Sequence, residues 1–329
     1  MVQCQFAQNN FRRIIWLSAR FLYVYKIQNR QTMNRGNKIG LILGLLLVSG
    51  ALIHSVSTET KNAITRQGTT QYFPVSVDFA GENTPLNISD VRERFDRELL
   101  VNANLHSSTI LIIKRANRIF PIMEPILKKY GVPDDFKYLA VIESNLTNAV
   151  SPAGARGIWQ FMPATARENG MEVTETVDER YHLEKATEAA CKYLIQAKEK
   201  FGNWTLAAAA YNGGTAGVNK QIESQKVASY YDLLLNEETS RYVFRILALK
   251  EIMKTPANFG FTISSEELYN YIPTKKVEVD SSITNLASFA IGQGINYKIL
   301  KIHNPWLRDT KLLNPNKKKY EIEIPTEGY

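Results

Sequence analysis

The sequence predicts a mainly helical protein that ends in a small α/β module, and three observations carry this prediction. Apolar residues recur at helical spacing between about residues 88 and 255, whereas residues 268–329 contain alternating apolar residues typical of strands. A basic segment and an apolar run precede both regions. The 329 residues therefore divide into four expected segments. They are a leader over 1–58, a linker over 59–87, a helical domain over 88–258 and a module over 268–329.

The leader holds most of the net charge of +8, because residues 1–58 contain seven basic side chains and no acidic one. The rest of the chain is nearly neutral, so we expect no nucleic-acid partner. An apolar run over 39–53 follows Arg35 and Lys38, as in a signal peptide or a membrane anchor over 39–56. Basic residues before such a run favour a cytoplasmic N-terminus and an exported body.

The first helices of the body follow a polar linker, in which one short strand is expected near 72–77. A second helix over about 107–130 contains Pro121 and Pro125, which we expect to break or kink it. The first helix buries the apolar residues of one face, namely Val91, Phe95, Leu99 and Leu100.

Further helices are expected along the rest of the helical domain, one of which carries Cys191 as a buried core residue. They begin at Asp134 and span 183–201, 204–211, 227–235 and 239–254. The module should run strand, helix, helix, strand. Its strands lie around Val277 and Val279 and around Tyr320, Ile322 and Ile324, and its helices over 286–291 and 297–302.

Glu143 occupies an unusual position for an acidic residue. In the helix that begins at Asp134, Phe136, Leu139 and Ala140 lie at i, i+3 and i+4, and Glu143 follows at i+7 of the same apolar stripe. Burial disfavours the charged carboxylate, raises its pKa and keeps a proton ready for general acid catalysis. The alternative is a Glu that pairs with an Arg or caps a neighbouring helix.

Two later segments carry groups suited to a sugar ligand. In the glycine-rich loop over 151–163, Trp159 and Phe161 either stack on sugar faces or pack in the core, and Gln160 can orient a hydroxyl or acetamido group. The segment 209–214 places Tyr211 and Asn212 at the end of a helix.

Three ordered motifs therefore stand out within residues 90–255. They are Glu143-Ser144, Gly157-Ile158-Trp159-Gln160-Phe161-Met162-Pro163 and Ala210-Tyr211-Asn212-Gly213-Gly214. This set resembles the motifs of the Slt-type lytic murein transglycosylases of glycoside hydrolase family 23, and most of all those of the membrane-bound D-type members.

The resemblance implies a lysozyme-like helical fold and a periplasmic enzyme of the bacterial cell envelope. Such an enzyme cleaves the β-1,4 bond between N-acetylmuramic acid and N-acetylglucosamine in peptidoglycan and leaves 1,6-anhydromuramoyl ends. Glu143 would be its single general acid/base, and no metal or cofactor is implied. We expect a monomer whose partners are peptidoglycan strands and, through an uncleaved leader, the membrane. The residues implied to bind glycan are Ser144, Ser151, Gln160, Phe161, Met162, Tyr211, Asn212 and Tyr242.

Three questions stay open at this point. A hydrolytic lysozyme on the same fold and a non-catalytic wall-binding scaffold are the alternative functions. A second acid is absent from the motifs, and Asp178, Glu179 and Glu184 are candidates for it by sequence position alone. The module resembles LysM, a peptidoglycan-binding unit, but the segment 280–282 replaces the usual Gly-Asp-Thr opening, so either glycan binding or a packing role is expected.

We expect translation to begin at Met33, which stands just before the basic residues Arg35 and Lys38. The 32 residues before Met33 do not resemble a signal peptide. The alternative is that they form an amphipathic segment on the membrane surface. Mass spectrometry of the N-terminal peptide of the native protein checks this expectation, and a peptide that begins before Met33 would contradict it.

Overall fold

A computed structural model of the chain describes residues 72–328, which belong to one compact unit spanning 71–329. The predicted leader, its apolar run and Met33 lie outside the described residues. Ten α-helices are present within 72–328: α1 Ser89–Asn104, α2 His106–Tyr130, α3 Phe136–Ser144, α4 Pro163–Glu168, α5 Leu183–Phe201, α6 Trp204–Gly213, α7 Thr215–Gln225, α8 Glu237–Lys254, α9 Leu286–Gly292 and α10 Tyr297–His303. Four strands form two antiparallel pairs: β1 Asp78–Phe79 with β2 Glu82–Asn83, and β3 Thr274–Val279 with β4 Tyr320–Pro325.

Helix α8 lies at the centre of the helical domain, where it packs against α1, α3 and α6. Its sequence explains this position. Apolar residues occupy most of the helix circumference rather than a single stripe, which is typical of a buried helix. Its buried apolar residues are Tyr242, Val243, Phe244, Ile246, Leu247, Ala248, Leu249 and Ile252. The mainly helical prediction for this part of the chain is confirmed.

Helix α2 is continuous through both of its prolines, so of the two predicted effects of Pro121 and Pro125, a break or a kink, the break does not occur. Each proline removes one backbone hydrogen bond, but both side chains lie on the exposed face. The opposite face is buried along the whole helix, and this packing outweighs the local preference. Its buried residues are Thr109, Ile112, Ala116, Ile119, Met123 and Leu127.

Three other local predictions are wrong. Residues 227–235 form only a 3₁₀ turn at Tyr230–Asp232 instead of a helix, and Leu100 is 42% exposed. The strand expected near 72–77 lies later, as the hairpin of β1 and β2, and Val77, Phe79 and Leu86 of the predicted linker pack into the domain core. Burial of this segment against the helices, which is a long-range contact, decides its structure rather than its polar composition.

The two ends of α3 are fixed by α8. At the start of α3, the buried Lys250 ammonium contacts Asp135 Oδ2 at 2.6 Å and Asp78 Oδ2 at 3.2 Å. At the end of α3, Arg245 donates a hydrogen bond to the Ile142 carbonyl at 3.1 Å. Because Lys250 lies later in α8 than Arg245 but contacts the beginning of α3, the two helices run antiparallel.

The C-terminal module has the predicted order of strand, helix, helix, strand. Strands β3 and β4 pair with Val277 opposite Ile322, and α9 and α10 connect them. The module core also includes Val177 and Tyr181, which belong to the helical domain. The module is therefore packed onto the helical domain through a shared apolar cluster.

The segment 172–182, called here the docking loop, makes this contact. The Asp178 amide donates to the Trp306 carbonyl at 2.9 Å, and the Arg308 amide donates to the Thr176 carbonyl at 2.8 Å. Among residues 72–328, no helix combines the length and the apolar character needed to cross a membrane.

Lys250→Met should destabilise the protein by about 3 kcal/mol, because it leaves Asp135 without its buried cation. Urea unfolding of the variant and the parent at neutral pH measures this difference. Lys254→Met is the matched control, since Lys254 is exposed on the same helix and its substitution should cost less than about 0.5 kcal/mol. Equal stability of the two variants would show that Lys250 does not fix α3.

Candidate active site

Glu143 lies in the last turn of α3, and the chain reverses immediately after it. Asn145 and Leu146 both adopt left-handed backbone conformations, with φ of 51° and 56°. A branched residue such as Leu146 pays an energetic cost of about 1 kcal/mol in this conformation, yet its side chain is fully packed in the core. The left-handed conformation of these two residues ends the helix at Ser144, one residue beyond Glu143.

The carboxylate of Glu143 is partly buried and accepts a hydrogen bond from the Tyr242 hydroxyl. Burial raises the pKa of Glu143 to about 7, whereas the Tyr242 hydrogen bond and the Arg245 charge oppose this rise and the Glu238 charge adds to it. A carboxyl group with this pKa is present in both its protonated and its ionised form at neutral pH. It can therefore donate a proton in one step and accept one in the next.

Tyr211 and Phe161 are placed beside this pair. The Tyr211 hydroxyl donates to the Trp159 carbonyl at 2.7 Å, and its ring meets the Phe161 ring edge-on at 5.8 Å between centroids. The Glu143 charge contributes, after burial, to the raised pKa of both Tyr211 and Tyr242. The structure thus brings together the first, second and third motifs.

Asn212 connects the end of α6 to the start of α8. Its Oδ1 accepts a hydrogen bond from Thr239 Oγ1 at 2.8 Å, and its Nδ2 donates to Glu238 Oε1 at 3.1 Å. Because Glu238 also influences Glu143 electrostatically, Asn212 belongs to the same cluster. Met162 is 42% exposed at the end of the glycine-rich loop, where its side chain is free to contact a ligand.

Three other predicted site residues use their side chains for hydrogen bonds to backbone groups. Ser144 is buried, and its hydroxyl donates to the Ile158 carbonyl at 2.8 Å. Ser151 Oγ accepts from the Ala155 amide at 2.9 Å. Gln160 has a φ of 52° and donates from Nε2 to the carbonyls of Gly157 at 2.7 Å and Ala149 at 3.1 Å. These three side chains shape the glycine-rich loop in the described structure.

The two aromatic residues of the second motif belong to the core. Trp159 is completely buried and donates from Nε1 to Thr187 Oγ1 at 2.9 Å, and Phe161 is 4% exposed. Both rings therefore pack in the core of the described structure, and contact of Phe161 with glycan stays a prediction. Cys191 is likewise completely buried, as predicted.

The glycine-rich loop rests on the docking loop. Gly157 has a φ of 82°, and a β-carbon built there would lie 1.8 Å from the Arg180 carbonyl oxygen, so only glycine fits. Arg180 is buried, pairs with both oxygens of Asp178 at 2.7 and 2.9 Å, and donates to the carbonyls of Gly154 and Phe161. The loop that precedes the module thus holds the second motif in place.

The three acids proposed from sequence position are engaged elsewhere. Asp178 pairs with Arg180, Glu179 contacts Lys185 at 2.6 Å, and Glu184 contacts Lys276 at 3.3 Å. The acid that sequence reasoning missed is Glu238, four residues before Tyr242 on α8. Spacing could have found it, because residues at i and i+4 share one helix face. Arg245 follows at i+3 from Tyr242 on that face.

Two family models and several curated proteins are similar to parts of this chain. Residues 121–234 match the family model of the transglycosylase SLT domain, and residues 275–328 match that of the soluble lytic transglycosylase C-terminal LysM-like domain. Membrane-bound lytic murein transglycosylase D of Escherichia coli K12 is 29% identical over 243 residues, which cover 71% of this chain and 52% of the relative. The same protein from Escherichia coli O6:H1 gives the same values. The chain spans about half the length of these curated relatives.

A solved structure gives a partial match. It is the X-ray structure of an inactive mutant of lytic transglycosylase Slt from Pseudomonas aeruginosa, with 22% sequence identity and a TM-score of 0.33. The match covers 46% of this chain and 26% of that chain.

Glu143→Gln should make the protein more stable than the parent as the pH rises. The folded-state pKa of Glu143, about 7, lies above the ordinary value of 4.5, so the stabilising proton is fully bound below pH 4.5 and is lost as the pH rises through about 7. Loss of this proton costs the parent up to about 3 kcal/mol, a cost that the neutral amide does not have. Urea unfolding between pH 4.5 and 8.5 measures the difference.

Tyr242→Phe provides the companion measurement. Removal of a donor to the carboxylate should raise the pKa of Glu143 further, so that the loss of stability becomes larger and continues to a higher pH. A stability difference between Glu143→Gln and the parent that does not change with pH would contradict the buried, protonated state of Glu143.

Proposed function

We propose that this chain, which carries a transglycosylase SLT domain followed by a LysM-like domain, is a lytic transglycosylase that cleaves peptidoglycan. The observation that carries the proposal is the partly buried Glu143 carboxyl, which Tyr242 holds at a helix end and whose pKa of about 7 leaves it partly protonated at neutral pH. A carboxyl of this kind is what the cleavage of a glycosidic bond needs as its general acid.

In the proposed reaction, Glu143 protonates the oxygen that joins N-acetylmuramic acid to N-acetylglucosamine. The bond between this oxygen and C1 of the muramoyl unit breaks, and the acetamido group of the substrate helps to stabilise the developing cation. The Glu143 carboxylate then takes the proton from the muramoyl 6-hydroxyl as its oxygen bonds to C1. The product carries a 1,6-anhydro ring, no water is consumed, and the carboxyl ends in its starting state.

A single acid suffices for this route because the substrate supplies the nucleophile. Hydrolysis by the usual routes needs a second carboxylate about 5 Å away, or about 6.5–9.5 Å away with a water between. The ion pairs of Asp178, Glu179 and Glu184 support the single-acid route. Glu238 remains as the acid to test, since its charge reaches Glu143.

The positions of the residues around Glu143 suggest a role for each of them. Tyr242 would hold the carboxyl and tune its proton affinity, and Tyr211, Asn212 and Met162 would line the glycan groove. Ser144, Ser151, Gln160 and Phe161 would act through the shape of the glycine-rich loop. The shared core with the docking loop supports a packing role for the module, which would stabilise the loop next to the site.

The place of action follows from the substrate. We propose export to the bacterial cell envelope, where peptidoglycan lies, with the predicted leader as signal peptide or anchor over 39–56. The relative in Escherichia coli is named a membrane-bound enzyme, which agrees with an anchored form. A monomer is sufficient for the proposed reaction, since the groups that it uses come from one chain.

Mass spectrometry of the fragments released from purified sacculi by the full chain in mild detergent tests the proposal. We expect fragments lighter by one water than those of a lysozyme, without a reducible muramic end. Fragments of the full hydrolysed mass would show that the protein is a lysozyme. Binding without release of fragments would show that it is a wall-binding scaffold.

Two matched variants identify the acid. Glu143→Gln should slow release by about 10³-fold, because it removes the proton donor. Glu238→Gln, an equal change on a neighbouring acid, should keep the anhydro products and most of the rate. Retained activity in Glu143→Gln, or loss of activity in Glu238→Gln, would contradict the single-acid assignment.

A further inference from the structure

A large groove in the described residues lies apart from the proposed catalytic group. It has a volume of about 780 Å³ and is bordered by α2, the turn after α3, the start of α5 and the C-terminal module. Its lining does not include Glu143. We call it the interdomain groove, because both the helical domain and the module contribute to its walls.

The interdomain groove contains two half-buried charges of opposite sign without an ionic partner. Arg118 on α2 and Glu323 on β4 both line it, and neither forms a salt bridge within residues 72–328. The charges that act on Glu323 are those of Glu184, Lys276 and Glu321, and Lys276 already contacts the other two acids. A charge removed from water without a partner is costly, so each of these groups favours a ligand that brings the opposite charge. The opposite signs on different elements favour a ligand with both a carboxylate and an ammonium group.

The remaining charges of the groove are already engaged. Arg115 donates to the Asn145 carbonyl at 3.1 Å, Glu188 contacts Lys129 at 3.2 Å, and Glu184 contacts Lys276. Burial and then the Arg118 charge lower the pKa of His303 and so favour its neutral form. Arg118 and Glu323 are thus the two side chains best placed to take charged groups of a ligand.

The other lining residues fit a peptide better than a sugar. The groove has an apolar side formed by Ile119, Ile122, Ile126, Leu146 and Ile158. The Trp306 ring is stacked between His182 and Tyr320, so its faces are not free to stack on a sugar. The guanidinium of Arg308 covers the Tyr181 ring at 4.2 Å. Aliphatic surface between two opposite charges suits the alkyl groups of a short peptide.

We propose that the interdomain groove binds the peptide stems that peptidoglycan carries. Arg118 would pair with a stem carboxylate, Glu323 would pair with the free amine of the diamino acid, and the isoleucines would contact the aliphatic parts. This inference rests on the proposed function, which supplies peptidoglycan as the substrate. It assigns peptide recognition to a surface that exists only because the module packs on the helical domain.

Isothermal titration calorimetry of the full chain in mild detergent tests the proposal. The probes are the free tetrapeptide Ala-γ-Glu-diaminopimelate-Ala and the same peptide acetylated on the diaminopimelate amine. Arg118→Gln should weaken binding of both peptides by about tenfold. Glu323→Gln should weaken binding of the free-amine peptide by a similar factor and leave the acetylated peptide unchanged.

The matched controls are exposed charges on the same helix as Arg118 and on the strand that pairs with that of Glu323. Lys128→Gln on α2 and Glu278→Gln on β3 should bind both peptides like the parent, and all four variants should unfold at the parent temperature. Binding that Arg118→Gln and Glu323→Gln leave unchanged would overturn the proposal, and so would an equal loss in the controls. Peptide-free glycan oligomers that compete with the peptide, with the same dependence on Arg118, would show that the groove binds glycan.

This test of the groove is independent of the test of the catalytic proposal, because peptide binding is measured without cleavage. If sacculi yield anhydro fragments while the peptide does not bind, the groove proposal alone fails. If the peptide binds with the expected dependence but no fragments appear, the catalytic proposal alone fails.

Discussion

The antiparallel contact between α3 and α8 is the constraint on which the rest of the candidate site depends. Lys250 fixes the beginning of α3, Arg245 fixes its end, and Tyr242 meets Glu143. The eight residue steps from Tyr242 to Lys250 cover about 12 Å along α8 at 1.5 Å per residue, the same rise as the eight steps from the first to the last residue of α3. One rigid helix therefore positions the acid, supplies its hydrogen-bond donor and carries the charges that adjust its pKa.

The second motif depends on a different contact, which passes from the module through the docking loop. The module pairs with the docking loop at Asp178, the buried Arg180 of this loop holds two carbonyls of the glycine-rich loop, and Gly157 allows the backbones to approach. Loss of the module contact, or of Arg180, would leave buried polar groups of the neighbouring loop without hydrogen-bond partners. The module thus uses part of its surface for packing against the docking loop.

Local patterns in the sequence predicted the helices well where each helix has one apolar face and clear ends. Helix α5 begins and ends at the predicted residues, and Gly202 ends it in a left-handed conformation. The pattern failed where distant packing decides the structure. Buried contacts along α2 compensate for the hydrogen bonds that two prolines remove. The segment 227–235 forms a turn instead of a helix, and Phe79, which belongs to a polar segment, packs in the core.

The candidate site was predictable to the extent that its chemistry appears in the helical pattern. Glu143 on an apolar stripe indicated a carboxyl with a raised pKa, and its resemblance to a known motif added Tyr211 and Tyr242. The pattern could not show that Ser144 turns inward to hold a carbonyl, or that Glu238 and Arg245 flank the acid from α8. These placements depend on the angle and register between two helices far apart in sequence.

The same packing sets both the geometry and the proton affinity of Glu143. Burial alone would keep the carboxyl protonated and make it a poor base, whereas the Tyr242 hydroxyl and the Arg245 charge favour the ionised form. In the proposed reaction one group must give a proton to the leaving oxygen and then take one from the 6-hydroxyl. A pKa of about 7 makes neither transfer strongly unfavourable at neutral pH. A site with one carboxyl can therefore serve both steps only while α8 holds its donor and its cation against the end of α3.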